Sequence, residues 1–193
     1  PMSTAKQQSL RSFLRSIPVF SGLEGRSLDS AMSVLKKHSV PAGTVIFTEG
    51  ELGRTLYVVY SGEVEIYRNN AAGQPVPIVK LGPGECFGEM ALVELEPRSG
   101  SVVATKKTVA YSLNNLDLYK LLREDNYTFV ILLQNICRLL SRRLRKADSR
   151  IAEYLSTERQ PKPAPSARKP AAKAARPARA ARPTRPARAK AAR

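Results

Sequence analysis

The stretch FGEMALVELEPRSGS, which runs from Phe87 to Ser101, places a carboxylate at Glu89 and a guanidinium at Arg98 among mostly small or apolar side chains. A phosphate group in a water-poor pocket needs backbone N–H donors, a cation, or both. Gly88 and Ala91 are small enough to let the backbone approach such a group. Arg98 is expected to bind the phosphate through two parallel N–H bonds. Glu89 repels phosphate and is expected instead to accept a hydrogen bond from a sugar hydroxyl.

Residues 89–95 are expected to form one or two helical turns whose N-terminal amides face the anion. Charge spacing alone leaves another interpretation open, in which Arg98 forms a surface ion pair with Glu94 or Glu96 and Glu89 caps the helix. Exposed pairs of this kind contribute under about 1 kcal/mol to stability and indicate no ligand.

On both sides of this stretch, short runs rich in β-branched and aromatic residues are bounded by Gly, Pro or Asn. Several short strands separated by such turns are typical of an antiparallel sandwich or barrel. We therefore expect a mainly β protein. The predicted strands are Thr44–Thr48, Thr55–Tyr60, Glu63–Tyr67, Pro77–Leu81, Ser101–Thr105 and Thr108–Leu113.

Helices are predicted before and after the strands. Apolar residues at helical spacing predict two N-terminal helices, Gln8–Ile17 and Ser27–His38, each followed closely by a proline. After the last strand, a long helical stretch is predicted from Leu116 to Leu155, with a break near Asp125 and Asn126.

The apolar side chains of the long helix recur in steps of three and four residues. Two interpretations fit this near-heptad stripe: it packs against the barrel, or it forms a seam between two copies of the same helix. Both can hold along different parts of the helix, and residues 129–155 are the predicted homodimer interface. The stripe consists of Leu133, Ile136, Leu140, Leu144, Ala147, Ile151 and Tyr154.

The 193 residues include 32 Lys and Arg against 16 Asp and Glu, which gives a net charge of +16. Residues 160–193 contain no acid and contribute +11 of this charge, so residues 1–159 are only mildly basic. This basic segment consists mainly of Ala, Pro, Arg and Lys and cannot bury a core, so we expect it to be disordered. Its composition is similar to the tails of linker histones and bacterial histone-like proteins.

Within the basic segment, five arginines recur at every third position from Arg176 to Arg188. In a polyproline II helix, which has three residues per turn, all five share one edge. Such a stripe suits the phosphates of nucleic acid or another polyanion, bound without sequence preference and weakened by salt. A solubilising extension without a dedicated partner stays open as the alternative.

Several classes of function are disfavoured by what the sequence lacks. Cys86 and Cys137 belong to no Cys or His cluster, so neither a disulfide scaffold nor a metal site is expected. The longest apolar run, Phe129–Leu133, is too short to span a membrane, and no signal peptide is evident. His38 has no nucleophile partner that the sequence identifies, and catalytic motifs are missing. We expect a soluble, cytoplasmic protein that is not an enzyme and has no cofactor.

The stretch FGEMAL followed by PRSGSVVA resembles the phosphate-binding cassette of the cyclic nucleotide-binding domain family, with the same step from Glu to Arg. PVFSGL (residues 18–23) and PAGTVIFTEGELGRTLYVVYSGEVEIY (residues 41–67) are similar to the family as well. The resemblance covers residues 10–150 and is to the type found in the catabolite activator protein and the protein kinase A regulatory subunit. It implies an antiparallel jelly-roll β-barrel, a cupin-like double-stranded β-helix, with N-terminal helices and a long C-terminal helix.

The resemblance implies that the ligand is a cyclic nucleotide, cAMP or cGMP. In the family, the cassette glutamate binds the ribose 2′-hydroxyl and the arginine binds the cyclic phosphate, and these positions are Glu89 and Arg98 here. The other implied ligand-binding residues are Gly88, Met90 and Ala91 of the cassette, Ser99 beside the phosphate, and Val64 and Ile78 facing the base.

The resemblance leaves the base preference open, because a hydroxyl at the position of Ser99 occurs in binders of both nucleotides. In the bacterial activator branch, polar residues that recognise the base lie on the C-terminal helix, where Ala147 and Asp148 stand here. Asp148 is expected either to accept from the exocyclic amine of adenine or to be an exposed helix acid. Activator-type relatives continue into a helix-turn-helix domain, which we do not expect in the sequence after Tyr154.

The predicted organisation is an N-terminal extension (residues 1–9), a cyclic nucleotide-binding domain with its long helix (residues 10–155) and a basic tail (residues 156–193). The leading hypothesis is a homodimeric sensor of a cyclic mononucleotide, with cAMP favoured. Ligand binding then moves the long helix and acts on the tail or on an unidentified protein partner. Two alternatives stay open: a nucleic-acid-associated protein that acts through its tail, with the barrel as a dimerisation scaffold, and a sensor of a cyclic dinucleotide.

Overall fold

Two four-stranded antiparallel sheets, together with helices, make up the computed structural model, which describes residues 4–94 and 96–158. The helices are α1 (Thr4–Arg15), α2 (Gly25–Ser33), α3 (Met90–Val93), α4 (Asn115–Glu124) and α5 (Asn126–Glu158). The strands are β1 (Lys36–Val40), β2 (Val45–Phe47), β3 (Thr55–Ser61), β4 (Val64–Asn69), β5 (Pro75–Leu81), β6 (Cys86–Phe87), β7 (Ser101–Ala104) and β8 (Thr108–Asn114). A single 3-10 turn at Pro18–Phe20 lies between α1 and α2.

The strand order is β1-β8-β3-β6 in one sheet and β2-β7-β4-β5 in the other. Strands that are distant in the chain are therefore neighbours, as β1 is with β8 and β2 with β7. This arrangement confirms the predicted fold class, a mainly antiparallel β-barrel with flanking helices and a long C-terminal helix. All six predicted strands are present, and each observed end lies within two residues of its predicted position.

The core consists of two clusters of apolar side chains. One fills the space between the sheets and contains Phe47, Val59, Val64, Leu81, Phe87 and Val102. The other joins β3, β6 and β8 to the helices, and its largest members include Leu14, Phe20, Leu28, Leu56, Leu113, Leu132 and Ile136. Each such side chain contributes about 1.5–3 kcal/mol to the free energy of unfolding when it is fully buried. The two clusters therefore hold the helices and the two sheets together.

The prediction of a helix over Ser27–His38 is wrong at its C-terminal end. Helix α2 ends at Ser33, and Lys36–Val40 form strand β1, which pairs with β8. The residues of this strand are largely exposed and include two lysines, which are poor strand formers, so only the pairing with β8 makes them extended. His38 consequently lies in a strand, where its Nε2 atom is 2.8 Å from the Ser112 hydroxyl.

Two further elements differ from the prediction. Helix α1 begins at Thr4, inside the predicted N-terminal extension, and its Leu10 and Leu14 side chains are buried in the core. Strand β6 was not predicted, because two residues are too few to show an alternating pattern. It pairs with Tyr57 and Val58 of β3 and leads directly into the cassette.

The predicted break in the C-terminal helical stretch is confirmed at Asp125, which separates α4 from α5. Its carboxylate accepts hydrogen bonds from the backbone N–H of Thr128 at 3.1 Å and from the Thr128 hydroxyl at 2.7 Å. Further along α5, Ile136 is fully buried, whereas Leu144 and Ile151 are 63% and 58% exposed. The apolar stripe thus packs on the domain in its first part and is exposed in its second part.

One compact unit ends at Ala152, and residues 153–158 continue α5 as the described part of a second unit. The predicted basic tail covers residues 156–193, but residues 156–158 belong to α5, and its remaining residues lie outside the described part of the chain.

Across the described residues, every helix is too short or too polar to cross a lipid bilayer.

Candidate functional site

The cassette connects β6 to β7, and its conformation depends on Gly88. This residue has a φ of +74°, in the left-handed region that favours glycine. A Cβ at this position would lie 2.6 Å from Nη1 of Arg98 and 2.8 Å from the carbonyl oxygen of Thr55. Glycine therefore allows the arginine side chain to lie against the cassette backbone, just before the helical turn α3 that the sequence predicts.

Glu89 lies at the start of this turn and is only 4% exposed. Its Oε1 atom accepts a hydrogen bond from Nη1 of Arg143 at 2.5 Å, and Nη2 of Arg143 donates to the carbonyl of Cys86. The other carboxylate oxygen, Oε2, is buried and has no hydrogen-bond partner among the described residues. Glu89 therefore has one oxygen bound to helix α5 and one oxygen available to a donor.

Arg98 is 7% exposed, so it is not the surface residue of the alternative interpretation. Its Nη1 atom donates to the carbonyls of Thr55 at 2.9 Å and Gly88 at 3.2 Å. Its guanidinium carbon lies 3.9 Å from the centre of the Phe47 ring, in a cation–π contact. Nε of Arg98 is buried and finds no acceptor in the described part of the chain. A buried donor without an acceptor costs about 1–3 kcal/mol, and an anion that accepts its hydrogen bond would remove this cost.

The cassette region contains a buried cation, Arg98, and a buried thiol, Cys86. Burial lowers the pKa of Arg98, while Tyr57, Glu51 and Glu89 act in the opposite direction. An arginine nonetheless stays protonated at neutral pH, so the pocket holds a buried positive charge. Burial raises the pKa of Cys86 to about 12, so this thiol stays protonated and is a poor nucleophile.

Within residues 4–94 and 96–158, no group of three or more His, Cys, Asp or Glu side chains is arranged to hold a metal ion.

The cassette forms one wall of a cavity of about 1000 Å³, at the upper end of the range for small-molecule pockets. Apolar side chains of β4 and β5 form a second wall, which includes Ile66, Ile78, Val79 and Leu81. Helix α5 forms a third wall with Arg142, Arg143, Lys146, Ala147, Arg150 and Ile151. The cavity therefore combines an anion-binding cassette, an apolar surface suited to a planar base and a basic helix.

Seven of the nine predicted ligand-binding residues line this cavity: Gly88, Glu89, Met90, Ala91, Arg98, Ser99 and Ile78. The other two, Val64 and Asp148, do not line it in the described structure. Val64 is fully buried in the core between the sheets, and Ile66, two residues further along the same strand, lines the cavity instead. Asp148 is exposed on α5, where its neighbour Ala147 lines the cavity.

Sequence reasoning missed two side chains of the site. Phe47 lies in a short apolar strand like many core residues, so nothing in the sequence marks it as a partner of Arg98. Arg143 stands among several basic residues of α5, including Arg142 and Arg145. Only the rotation of the helix about its own axis, which packing determines, shows which of them reaches the cassette.

A buried Glu and Arg on a short connection between two antiparallel sheets define a ligand-binding β-barrel domain. Residues 37–125 match the model of the cyclic nucleotide-binding domain, so this part of the chain belongs to that family, and the resemblance is confirmed.

Relatives with known names and structures agree with this assignment. The chain is 38% identical to the cyclic AMP receptor protein of Thermus thermophilus over 135 residues, which are 70% of this chain and 61% of that protein. It is similar to the crystal structure of the Thermus thermophilus catabolite activator protein, with a TM-score of 0.65 and 39% identity over 72% of this chain and 63% of that one. It is also similar to a cyclic nucleotide-binding domain from Methylobacillus flagellatus, with a TM-score of 0.69 and 25% identity over 78% and 84% of the two chains. The match thus spans less than two thirds of the Thermus relative.

Proposed function

We propose that this chain senses a cyclic mononucleotide and that the ligand is cAMP. The observation that carries the proposal is a pair of buried polar atoms in one cavity, neither of which has a partner among the described residues. Nε of Arg98 is a donor that lacks an acceptor, and Oε2 of Glu89 is an acceptor that lacks a donor. A cyclic nucleotide presents a phosphate oxygen to the first and a ribose hydroxyl to the second.

The other walls of the cavity suit the same ligand. The apolar side chains of Ile66, Ile78 and Val79 provide a surface against which a purine base can lie. The relative from Thermus thermophilus is described as a cyclic AMP receptor protein, which supports cAMP over cGMP. Asp148 lies away from the cavity and gives no support to adenine recognition, so cGMP belongs in the same test.

Ligand binding and the position of helix α5 are coupled in this proposal through Glu89. Its Oε1 atom is bound by Arg143 of α5, so the ribose hydroxyl and the helix share one carboxylate. A ligand that fixes this carboxylate favours one position of α5 over others by its difference in affinity for the two states. The result of binding is then a change in the position or the mobility of α5.

The test is a calorimetric titration of the full chain with cAMP and with cGMP. The variants Arg98→Ala and Glu89→Ala each remove one of the two proposed ligand contacts. Arg145→Ala is the matched control, because Arg145 is an exposed arginine of α5 that does not line the cavity. At a ligand concentration of about 100 times Kd, the free energy of unfolding of the wild type should rise by roughly 2.7 kcal/mol, which a thermal-shift measurement detects.

We expect cAMP to bind the wild type and the Arg145→Ala variant alike, and both cassette variants to lose most of the affinity. Absence of binding by the wild type to either nucleotide overturns the proposal. Preserved binding by Arg98→Ala shows instead that the nucleotide binds elsewhere on the chain.

A cyclic dinucleotide is the second candidate ligand, and the basic wall of the cavity favours it. Arg142, Lys146 and Arg150 recur every fourth residue on α5 and line the cavity. Arg98 already matches the phosphate of a mononucleotide, so these cations suit a second phosphate. In a competition titration, displacement of cAMP by cyclic di-AMP at lower concentration supports this candidate over cAMP.

Homodimerisation through residues 129–155 remains a proposal, and the exposure of Leu144 and Ile151 supports it. The rival hypothesis, binding of nucleic acid through the basic tail, rests on residues outside the described part of the chain. The Arg98→Ala variant separates the two activities, since loss of the guanidinium in the cavity should leave binding of DNA by the tail unchanged.

A further inference from the structure

The segment of residues 50–53 holds the backbone of Arg98 on both sides. The N–H of Gly50 donates to the carbonyl of Arg98 at 2.9 Å, and the N–H of Arg98 donates to the carbonyl of Glu51 at 2.9 Å. Leu52 forms an isolated antiparallel bridge with Pro97. Arg98 is therefore fixed by a segment that lies far from it in the sequence and that no ligand-binding prediction includes.

Gly53, in the same segment, lies directly beside the side chain of Arg98. The three heavy atoms nearest to a Cβ built on Gly53 all belong to the arginine side chain, with Nη2 at 2.7 Å. Such a distance is far below a normal van der Waals contact, so a methyl group and the guanidinium cannot occupy these positions together.

Gly53 differs in this respect from Gly88. The φ angle of Gly88 is +74°, and a Cβ there also meets the carbonyl oxygen of Thr55, so any substitution strains the backbone. Gly53 has no such φ angle, and its backbone accepts alanine. The effect of an added methyl group at Gly53 therefore acts through the side chain of Arg98.

We infer that Gly53 is a positioning residue for the anionic group of the ligand. The absence of a side chain leaves the space in which the Arg98 guanidinium lies over Phe47 and donates to the carbonyls of Thr55 and Gly88. A methyl group at Gly53 displaces the guanidinium from these contacts and from the phosphate. The inference rests on the proposed cyclic nucleotide function.

The first experiment titrates cAMP into the full chain and into the variants Gly53→Ala and Gly82→Ala. Gly82 is the matched control, because it also lacks a positive φ and a Cβ there meets nothing within 4 Å. We expect Gly53→Ala to weaken cAMP binding about tenfold or more, since loss of a charge-assisted hydrogen bond has that magnitude. The Gly82→Ala variant should bind cAMP like the wild type.

The second experiment measures thermal unfolding without ligand for Gly53→Ala alone and in the Arg98→Ala background. If the methyl group meets only the arginine side chain, Gly53→Ala lowers Tm in the wild-type background and leaves Tm unchanged when Arg98 is alanine. This double-mutant cycle isolates the contact between the two positions. The doubly substituted chain also provides a folded reference if Gly53→Ala alone is poorly stable.

Two results overturn the inference: wild-type affinity for cAMP in Gly53→Ala, or an equal loss of Tm in both backgrounds, which assigns Gly53 a purely structural role. A wild type that binds no cyclic nucleotide is a distinct failure, that of the proposed function. The role of Gly53 in binding fails with it, whereas the thermal cycle still decides whether Gly53 leaves the space that Arg98 occupies.

Discussion

The side-chain amide of Asn135 donates hydrogen bonds to the backbone carbonyls of Val19 at 3.1 Å and Ser21 at 2.8 Å. Asn135 is buried and precedes Arg143, the residue that binds Glu89, by about 12 Å along α5. Helix α5 therefore has polar contacts with the turn that follows α1 and with the cassette, in addition to the hydrogen bond from the Thr128 hydroxyl to the carbonyl of Ser27. A movement of α5 away from both partners breaks the contacts made by Asn135 and by Arg143.

Substitution of Asn135 by alanine should destabilise the protein. The carbonyls of Val19 and Ser21 lose their donor, and a buried acceptor such as the Val19 carbonyl costs about 1–3 kcal/mol when it is left unpaired. Urea unfolding measures the loss, with Gln134→Ala as a control because the neighbouring Gln134 side chain is exposed. Equal stability of the two variants would show that the carbonyls of Val19 and Ser21 do not depend on the amide.

Arg143→Met should weaken cAMP binding, because Glu89 then lacks the partner that orients its carboxylate toward the ribose. The expected loss is roughly tenfold, the magnitude of one hydrogen bond to a charged group. Calorimetry measures the affinity, and hydrogen exchange of α5 shows whether cAMP still protects the helix. Arg145→Met is the control for loss of a charge from the same helix.

Tighter instead of weaker binding of cAMP by Arg143→Met would contradict this expectation. Tighter binding of cAMP by this variant shows that Arg143 competes with the ribose hydroxyl for Glu89, so that the ligand would weaken the contact between α5 and the cassette.

The sequence predicts the sheets and the cassette because both are encoded locally. Short β-rich runs with Gly, Pro or Asn at their ends mark six strands, and the step from Glu89 to Arg98 marks the binding segment. Strand β1 is not predicted because Lys36 and Lys37 have little intrinsic tendency to form a strand. Pairing with the distant strand β8 determines their conformation.

The residues of the site that sequence reasoning missed are those whose role depends on packing. Phe47, Gly53 and Arg143 all contact the predicted Glu89 or Arg98, yet each lies far from them in the chain. Val64 is the reverse case: the resemblance implies that it faces the base, whereas it is buried in the core between the sheets and Ile66 lines the cavity.

Asp125 should make the junction of α4 and α5 sensitive to acid. Hydrogen bonds from Ser30 and Thr128 hold the pKa of Asp125 below its usual value, so the ionised form is favoured in the folded state. Its contribution to stability is therefore present above the unfolded pKa of about 3.9 and is lost as the pH falls through the lower folded pKa. Asp125→Asn should reduce stability at pH 7 and have a smaller effect near pH 2.

Urea unfolding of the wild type and the variant between pH 7 and pH 2 tests this expectation. Asp148→Asn is the control, because Asp148 is an exposed acid of α5. A difference between wild type and Asp125→Asn that does not shrink on acidification would assign the effect to the shape of the side chain and not to its charge.

Leu144→Glu should weaken self-association if the exposed part of α5 forms a homodimer. Leu144 is 63% exposed, so a polar substitution leaves the core intact, whereas a carboxylate in a helix seam loses its hydration. Sedimentation velocity over a range of concentrations measures the oligomeric state. Ser149→Glu, which adds the same charge at another exposed position of α5, should leave it unchanged. A wild type that is monomeric at all concentrations rules the dimer out.

Arg98→Lys tests whether the site requires the guanidinium fork or only a positive charge. The arginine donates to the carbonyls of Thr55 and Gly88 and lies over Phe47, and a lysine ammonium cannot make these contacts and also bind phosphate. We expect cAMP affinity to fall about tenfold to a hundredfold, the cost of one to two charge-assisted hydrogen bonds. Calorimetry measures the affinity, and Arg145→Lys provides the same exchange at an exposed position of α5. Affinity within threefold of the wild type would show that charge alone attracts the ligand and that the contacts with Thr55, Gly88 and Phe47 serve only to stabilise the fold.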